Sequence, residues 1–246
     1  MSAGDEKPKV TLPQFKANGL PQLSAADQRL VGLYLLRYDN RNLTALLAGK
    51  DEHDDRALYS RAELEEAVSA VRRSDMTARP LPGYIYDFVA WYDGMDDSCR
   101  LPEDELCRLY FGHALRTANS FVRRWFEFER NVNNIVVALT ARKVGIDATH
   151  SLIGDNDVTQ RLRTSKEADF GLKTELDYFG NVQAVTGFSD PVQKERALDE
   201  LKWRWLDDET FFHYFSVEKI FAFVVKLDII ERWSRLDDEV GQKLFR

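Results

Sequence analysis

The chain has 246 residues, 34 basic and 41 acidic side chains, a formal net charge of −7, 44% hydrophobic residues and 12% aromatic residues. That is enough apolar material for one large domain or two smaller ones, while the acidic balance argues against general binding along a nucleic-acid backbone. No run of about 18 or more apolar residues is present to span a bilayer, the N-terminus lacks a hydrophobic signal core, and two cysteines, Cys99 and Cys107, make neither a disulfide framework nor a zinc signature.

Met1 to Gly19 is polar and carries Pro8 and Pro13, which reads as an extended arm. Ser24 then caps a helix with Asp27 at its third position. Leu30, Leu33 and Tyr34 continue it at helical spacing through Asn42, Leu43 and Leu47 to Gly49, with a kink expected on the way. Asp51–Asp55 (DEHDD) is an acidic loop. Ser60-Arg-Ala-Glu63 is a capping box opening a helix to about Arg73. Pro80, Pro82 and Gly83 form a linker, and Tyr84–Tyr92 is a short aromatic helix.

Pro102 with Glu103, Asp104 and Glu105 begins the longest helical signal. It runs through Leu106, Tyr110, His113 and Phe121 into Arg123–Ile146, an apolar-aromatic stretch with Asn131, Asn133 and Asn134 at its centre. Shorter helices are expected around Val158–Arg163 and Lys173–Asn181. Asp190-Pro191 launches Val192–Trp205, and Phe211–Trp233 and Leu236–Phe245 close the chain. Strand signals are nearly absent. The expected fold class is all-α: a multi-helix protein of two or three related modules with long kinked helices. The expected segments are an arm at 1–22 and modules at 23–100, 101–188 and 189–246, either separate or forming one continuous domain.

An internal repeat supports the modules. Laying Asp39 on Asn131, an offset of 92 (131 less 39), sets Tyr34 on Phe126, Asn42 on Asn134, Leu43 on Ile135 and Leu47 on Leu139. A fainter third copy lays Asp39 on Ser216 and Asn42 on Lys219. Asp39, Asn42, Asn131 and Asn134 are therefore candidate structural residues at a kink, where short polar side chains replace lost backbone partners.

No catalytic, cofactor-binding or metal-binding constellation stands out. Asp169-Phe-Gly171 spells the magnesium-binding tripeptide of protein kinases, but the glycine-rich loop, the strand lysine and the catalytic loop are missing. His53 sits among carboxylates in an acidic loop without cation-loop spacing, and Asp155 and Asp157 read as helix caps. The basic residues Arg123, Arg124, Arg161, Arg163 and Lys166 have two readings: internal salt bridges to the surplus acids, or a contact surface for an acidic partner.

Leu36-Arg-Tyr-Asp-Asn-Arg-Asn-Leu43 with Ala45-Leu-Leu47 resembles a module of the C-type central-stalk component of A/V-type ATPases (the d-type component in eukaryotes), and Asn134-Ile135 with Ala138-Leu139 resembles the same pattern in a second module. Trp125-Phe-Glu-Phe128, Asn133–Lys143, Leu162-Arg-Thr-Ser165, Asp169-Phe-Gly-Leu172 and Ile229-Ile-Glu-Arg-Trp233 resemble, over nearly the whole chain, a bacterial family of formerly unknown function encoded beside V-type ATPase subunits. The resemblance implies a non-catalytic all-helical coupling component without cofactors. Its partners would be the rotor shaft and the proteolipid ring, at the cytoplasmic face of the membrane and attached only through those partners. It also leads to the expectation of a ring-contacting segment beyond these residues. A helical ligand-binding protein or enzyme with its site at the asparagine kinks, and a general helical scaffold, are the alternatives.

Overall fold

Helix ends in this chain follow the capping chemistry written in the sequence. The computed structural model describes residues 10–75, 77–96 and 101–244, with side chains of the last helix as far as Arg235. Among these residues there are ten α-helices and no strand, so the fold is all-α. In chain order they are α1 (Leu12–Gln14), α2 (Ala25–Leu47), α3 (Arg61–Arg72), α4 (Gly83–Gly94), α5 (Pro102–Ala114), α6 (Ser120–Val144), α7 (Asp157–Thr164), α8 (Phe179–Gly187), α9 (Pro191–Glu209) and α10 (Val217–Leu244). Cys99 and the first nine residues of the expected arm lie outside the described residues.

The chain groups into two compact units, one of residues up to Arg61 together with those from Leu206 onward, the other Ala62–Trp205. This grouping is discontinuous in sequence. It divides the expected 23–100 segment at Arg61 and the expected 189–246 segment at Leu206. The cause is long-range pairing of α2 with α10, which no local pattern announces.

In the first unit, Ser24 caps α2 by accepting from the Asp27 N–H at 3.2 Å. Gly49, at φ +70°, follows the helix in the left-handed conformation that ends it without strain. The face of α2 carrying Val31, Tyr34, Leu35, Tyr38 and Leu43 is buried, and Tyr34 meets Phe221 of α10 edge-on at 6.0 Å between ring centroids. The arm is helical rather than extended from Leu12 onward. Thr11 and Gln14 form a reciprocal capping box, Leu12 is fully buried, and its N–H donates to Glu231 of α10.

In the second unit, α6 is central and packs against α5, α7 and α8. Asn119 caps it, accepting from the Val122 N–H at 2.9 Å. Gly145 (φ +78°) ends it, with Arg142 and Lys143 in the last turn, where cations favour the helix dipole. Trp125 and Phe126 are fully buried, and Phe128 stacks on Trp205 at 5.1 Å and 13°. The single long helix expected from Pro102 to Ile146 is two helices. The Thr117 hydroxyl accepts from the Asn119 N–H at 3.3 Å, so two short polar side chains serve the backbone locally and interrupt the run.

Candidate functional site

The asparagine positions are the most closely built polar features of both units. In α2 the Asn42 amide donates to the Asp54 carbonyl at 3.2 Å and accepts from the Asp54 N–H at 2.8 Å. In α6 the Asn134 amide donates to the Ile153 carbonyl at 2.8 Å and accepts from the Ile153 N–H at 2.9 Å. One side chain thus satisfies both polar groups of a single loop residue, twice in the chain, at the paired repeat positions. The loops differ in reach: the clasped residue lies 12 positions after Asn42 and 19 after Asn134.

The partner positions extend the pattern. Asp39 accepts from the Leu58 and Tyr59 N–H groups at 3.0 and 2.9 Å, just ahead of α3. Asn131 accepts from the side chain of Asn156, the N-cap of α7, at 3.0 Å. Burial pushes the Asp39 carboxyl up to about 6, against the pull of those two backbone donors. Both α2 and α6 run unbroken through these residues. The polar groups therefore hold the following loop and the next helix start rather than repair a break in their own helix.

Beside the first clasp is an open polar cleft of about 600 Å³, lined in part by Arg41, Asn42, His53, Asp54, Arg56 and Glu231. Two of its lining residues, Asp54 and Arg56, belong to an internally paired network. Asp228 accepts from the Tyr34 hydroxyl at 2.7 Å and from the Tyr38 hydroxyl. Arg56 lies 3.4 Å from Asp228 and 2.6 Å from Asp54. Burial, and then the Asp228 carboxylate, push the Tyr38 phenol above its usual value, so it stays protonated and acts as a donor. Among the described residues no group of three or more His, Cys, Asp and Glu is placed to hold a metal ion.

The basic set separates into two kinds. Arg161 pairs with Glu175 at 2.7 Å and donates to the Gly171 carbonyl at 3.1 Å. Arg163 pairs with Asp155 at 2.7 Å and donates to the Leu152 carbonyl at 3.0 Å. Both brace loops. Arg123, Arg124 and Lys166 are exposed, and Arg123 reaches the Thr117 carbonyl at 3.5 Å. Asp169-Phe-Gly171 is a turn: Asp169 accepts from the Gly171 N–H at 3.0 Å, and buried Phe170 lies 3.7 Å beneath the Arg142 guanidinium.

Two features escape a periodicity reading. The expected third copy is helical only from Val217 onward, so Ser216, the position paired with Asp39, lies ahead of α10 rather than within a helix. Thr210 to Ser216 is a loop, Phe215 has φ +53°, and Lys219 falls in the first turn of α10, donating to the Thr210 hydroxyl at 3.2 Å. That loop exposes Phe211, Phe212, Tyr214 and Phe215, Phe212 by 84%. Four aromatics in five residues cannot all face one side of a helix, which is the sequence signal for a surface loop. The second feature is Arg130, buried on α6 beside the second clasp. Its sequence neighbourhood, FERNVN, resembles any amphipathic helix.

Comparison with curated proteins and with solved structures finds no match to either. A protein-family model does match, across residues 1–246, and on that basis the chain belongs to the family described as "Protein of unknown function (DUF2764)".

Proposed function

We propose that this chain is a non-catalytic coupling component of a V-type ATPase, akin to the C-type stalk component, joining the central rotor shaft to the proteolipid ring in ATP-driven ion transport. The observation that carries the reading is the amide clasp built twice, at Asn42 and Asn134. These are the positions where the sequence resembles two modules of that stalk component. A torque-transmitting part needs stiff helices whose loops are fixed to them. Side chains that bind both backbone groups of one loop residue supply that stiffness.

Two further observations support it. The exposed aromatic loop Phe211–Phe215 is a contiguous apolar feature of the kind that marks protein contacts. No described helix is long and apolar enough to cross a membrane, which suits attachment through partners at the cytoplasmic face. Arg123, Arg124 and Lys166 are the members of the basic set assigned to partner contact.

The test is affinity purification of the full-length protein at native expression from its own cell. Rotor-shaft and proteolipid subunits are expected in the eluate at stoichiometric ratio. Recovery of the protein without any ATPase subunit overturns the proposal.

A further inference from the structure

Arg130 is 9% exposed, and its Nε is buried with no hydrogen-bond partner. Among the described residues no carboxylate pairs with its guanidinium. Burial lowers its pKa from the ordinary guanidinium value, yet an arginine side chain stays protonated in proteins. A buried, unpaired cation is costly, and its surroundings show what would offset that cost.

The guanidinium lines a cavity of about 200 Å³ together with Arg108, Arg163, Phe111, Gly154 and Asp155. Two of the three arginines already hold acids: Arg108 pairs with Glu105 and Arg163 with Asp155. Each positive charge in the lining is thus matched by a carboxylate except that of Arg130. The loop is shaped to Arg130 as well. Gly154 has φ +85°, and a Cβ built there would stand 2.8 Å from Arg130 Nη1.

The repeat supplies an independent comparison. The 92-residue offset that sets Asn42 on Asn134 sets Tyr38 on Arg130. In the first unit the polar end of Tyr38 is met by Asp228 of α10. In the second unit the equivalent position carries a cation, and among the described residues no carboxylate reaches it at ion-pair distance; Glu127 and Asp155 act on it only through space, Asp155 being held by Arg163.

We propose that this cavity is a binding site for a phosphate group, with Arg130 as the principal ligand and Arg108 and Arg163 at its rim. A guanidinium fork donates two parallel hydrogen bonds to such an oxyanion. The cavity volume suits inorganic phosphate or the head of a small phosphate monoester rather than a nucleotide. The site uses none of the residues assigned to partner contact, Arg123, Arg124 and Lys166, and meets the Asn134 clasp only through Ile153; phosphate binding is read on the protein by itself, so its failure and that of the coupling role are distinguishable.

The experiment is isothermal titration of the full-length protein with inorganic phosphate and, separately, glycerol 3-phosphate, at an ionic strength held constant with chloride. The two arms distinguish free phosphate from a monoester. One saturable site is expected, weakened at least tenfold in Arg130→Gln and less in Arg108→Gln. In parallel, the Arg130 Nε–H resonance of the wild-type protein is followed by NMR and is expected to shift along the same saturation curve. This second readout stands even if Arg130→Gln fails to fold. Absence of saturable binding in both arms overturns the proposal, as does binding that leaves the Arg130 resonance in place.

Discussion

Asn134 and Ile153 exchange two hydrogen bonds, the amide of one with both backbone groups of the other, at 2.8 and 2.9 Å. Asn134 is 1% exposed and Ile153 is half-buried, so removing the side chain strips both groups of Ile153 of their main partner, the carbonyl keeping only the Thr159 hydroxyl at 3.4 Å. Asn134→Leu is expected to destabilise the protein by about 2–4 kcal/mol, since each buried polar group left unpaired costs about 1–3 kcal/mol. Asn134→Asp keeps the acceptor but sets a carboxylate against the Ile153 carbonyl, and is expected to fall in the same range. Urea midpoints at constant m-value measure both; a loss under about 0.5 kcal/mol, the size of an ordinary surface substitution, would mean the clasp is not structural.

Asp39 provides a pH signature. Its folded pKa is raised from 3.8 to about 6 by burial, so the folded state binds its proton more tightly than the unfolded state does. The associated stability is fully present below about pH 4 and is lost as pH rises through about 6, with a magnitude on the order of 3 kcal/mol. Asp39→Asn cannot titrate. Other groups titrate equally in both proteins, so the informative quantity is the stability of the wild type minus that of Asp39→Asn. It is expected to decline between about pH 4 and 6.5 in chemical denaturation, and a flat difference would contradict the raised pKa.

Gly154 and Gly49 form an internal control. Both have positive φ, but a Cβ at Gly49 meets nothing within 4 Å, whereas one at Gly154 meets Arg130. Gly49→Ala is therefore expected to cost only the left-handed backbone term, about 1–2 kcal/mol. Gly154→Ala is expected to cost more and also to weaken phosphate binding. Thermal melts with and without phosphate separate the two effects, and equal melting shifts for both variants would show that the loop yields around Arg130.

The helices were legible in the sequence because their signals are local. Ser24 and Pro102 mark starts, Gly49 and Gly145 mark ends, and the aromatic spacing of α6 marks its buried face, whereas the start at Asn119 is masked by the helical period that continues across it. The repeat was legible as a pairing of Asn42 with Asn134, but its purpose was not. The clasped residues lie 12 and 19 positions away in loops whose sequences share nothing. The pairing of α2 with α10 was hidden for a related reason: Tyr34 and Asp228 are far apart in sequence, and a tyrosine in a helix does not announce which carboxylate it will meet. The third copy departs from the other two at Ser216, which lies before α10 instead of inside a helix, and composition alone does not separate the aromatic-rich loop ahead of it from a helical turn. Phe215 in the left-handed region is a three-dimensional fact that hydropathy does not encode.

The aromatic loop gives the coupling proposal its most direct mutational test. Phe212 and Tyr214 are 84% and 72% exposed, so replacing them removes little buried area and is expected to change folding stability by less than about 0.5 kcal/mol. A protein contact made through them would behave differently, since truncating an aromatic anchor at an interface commonly costs about 2 kcal/mol or more. Phe212→Ser with Tyr214→Ser is therefore expected to leave the melting temperature unchanged while reducing recovery of ATPase subunits at least tenfold. The acids Asp208 and Glu209 before the loop and Glu218 after it add a charge prediction. A partner surface rimmed by lysine or arginine would bind more weakly as ionic strength rises, as exposed complementary charges do. Undiminished recovery of the ATPase subunits with the doubly substituted protein would exclude the loop as the docking element and return the contact to Arg123, Arg124 and Lys166.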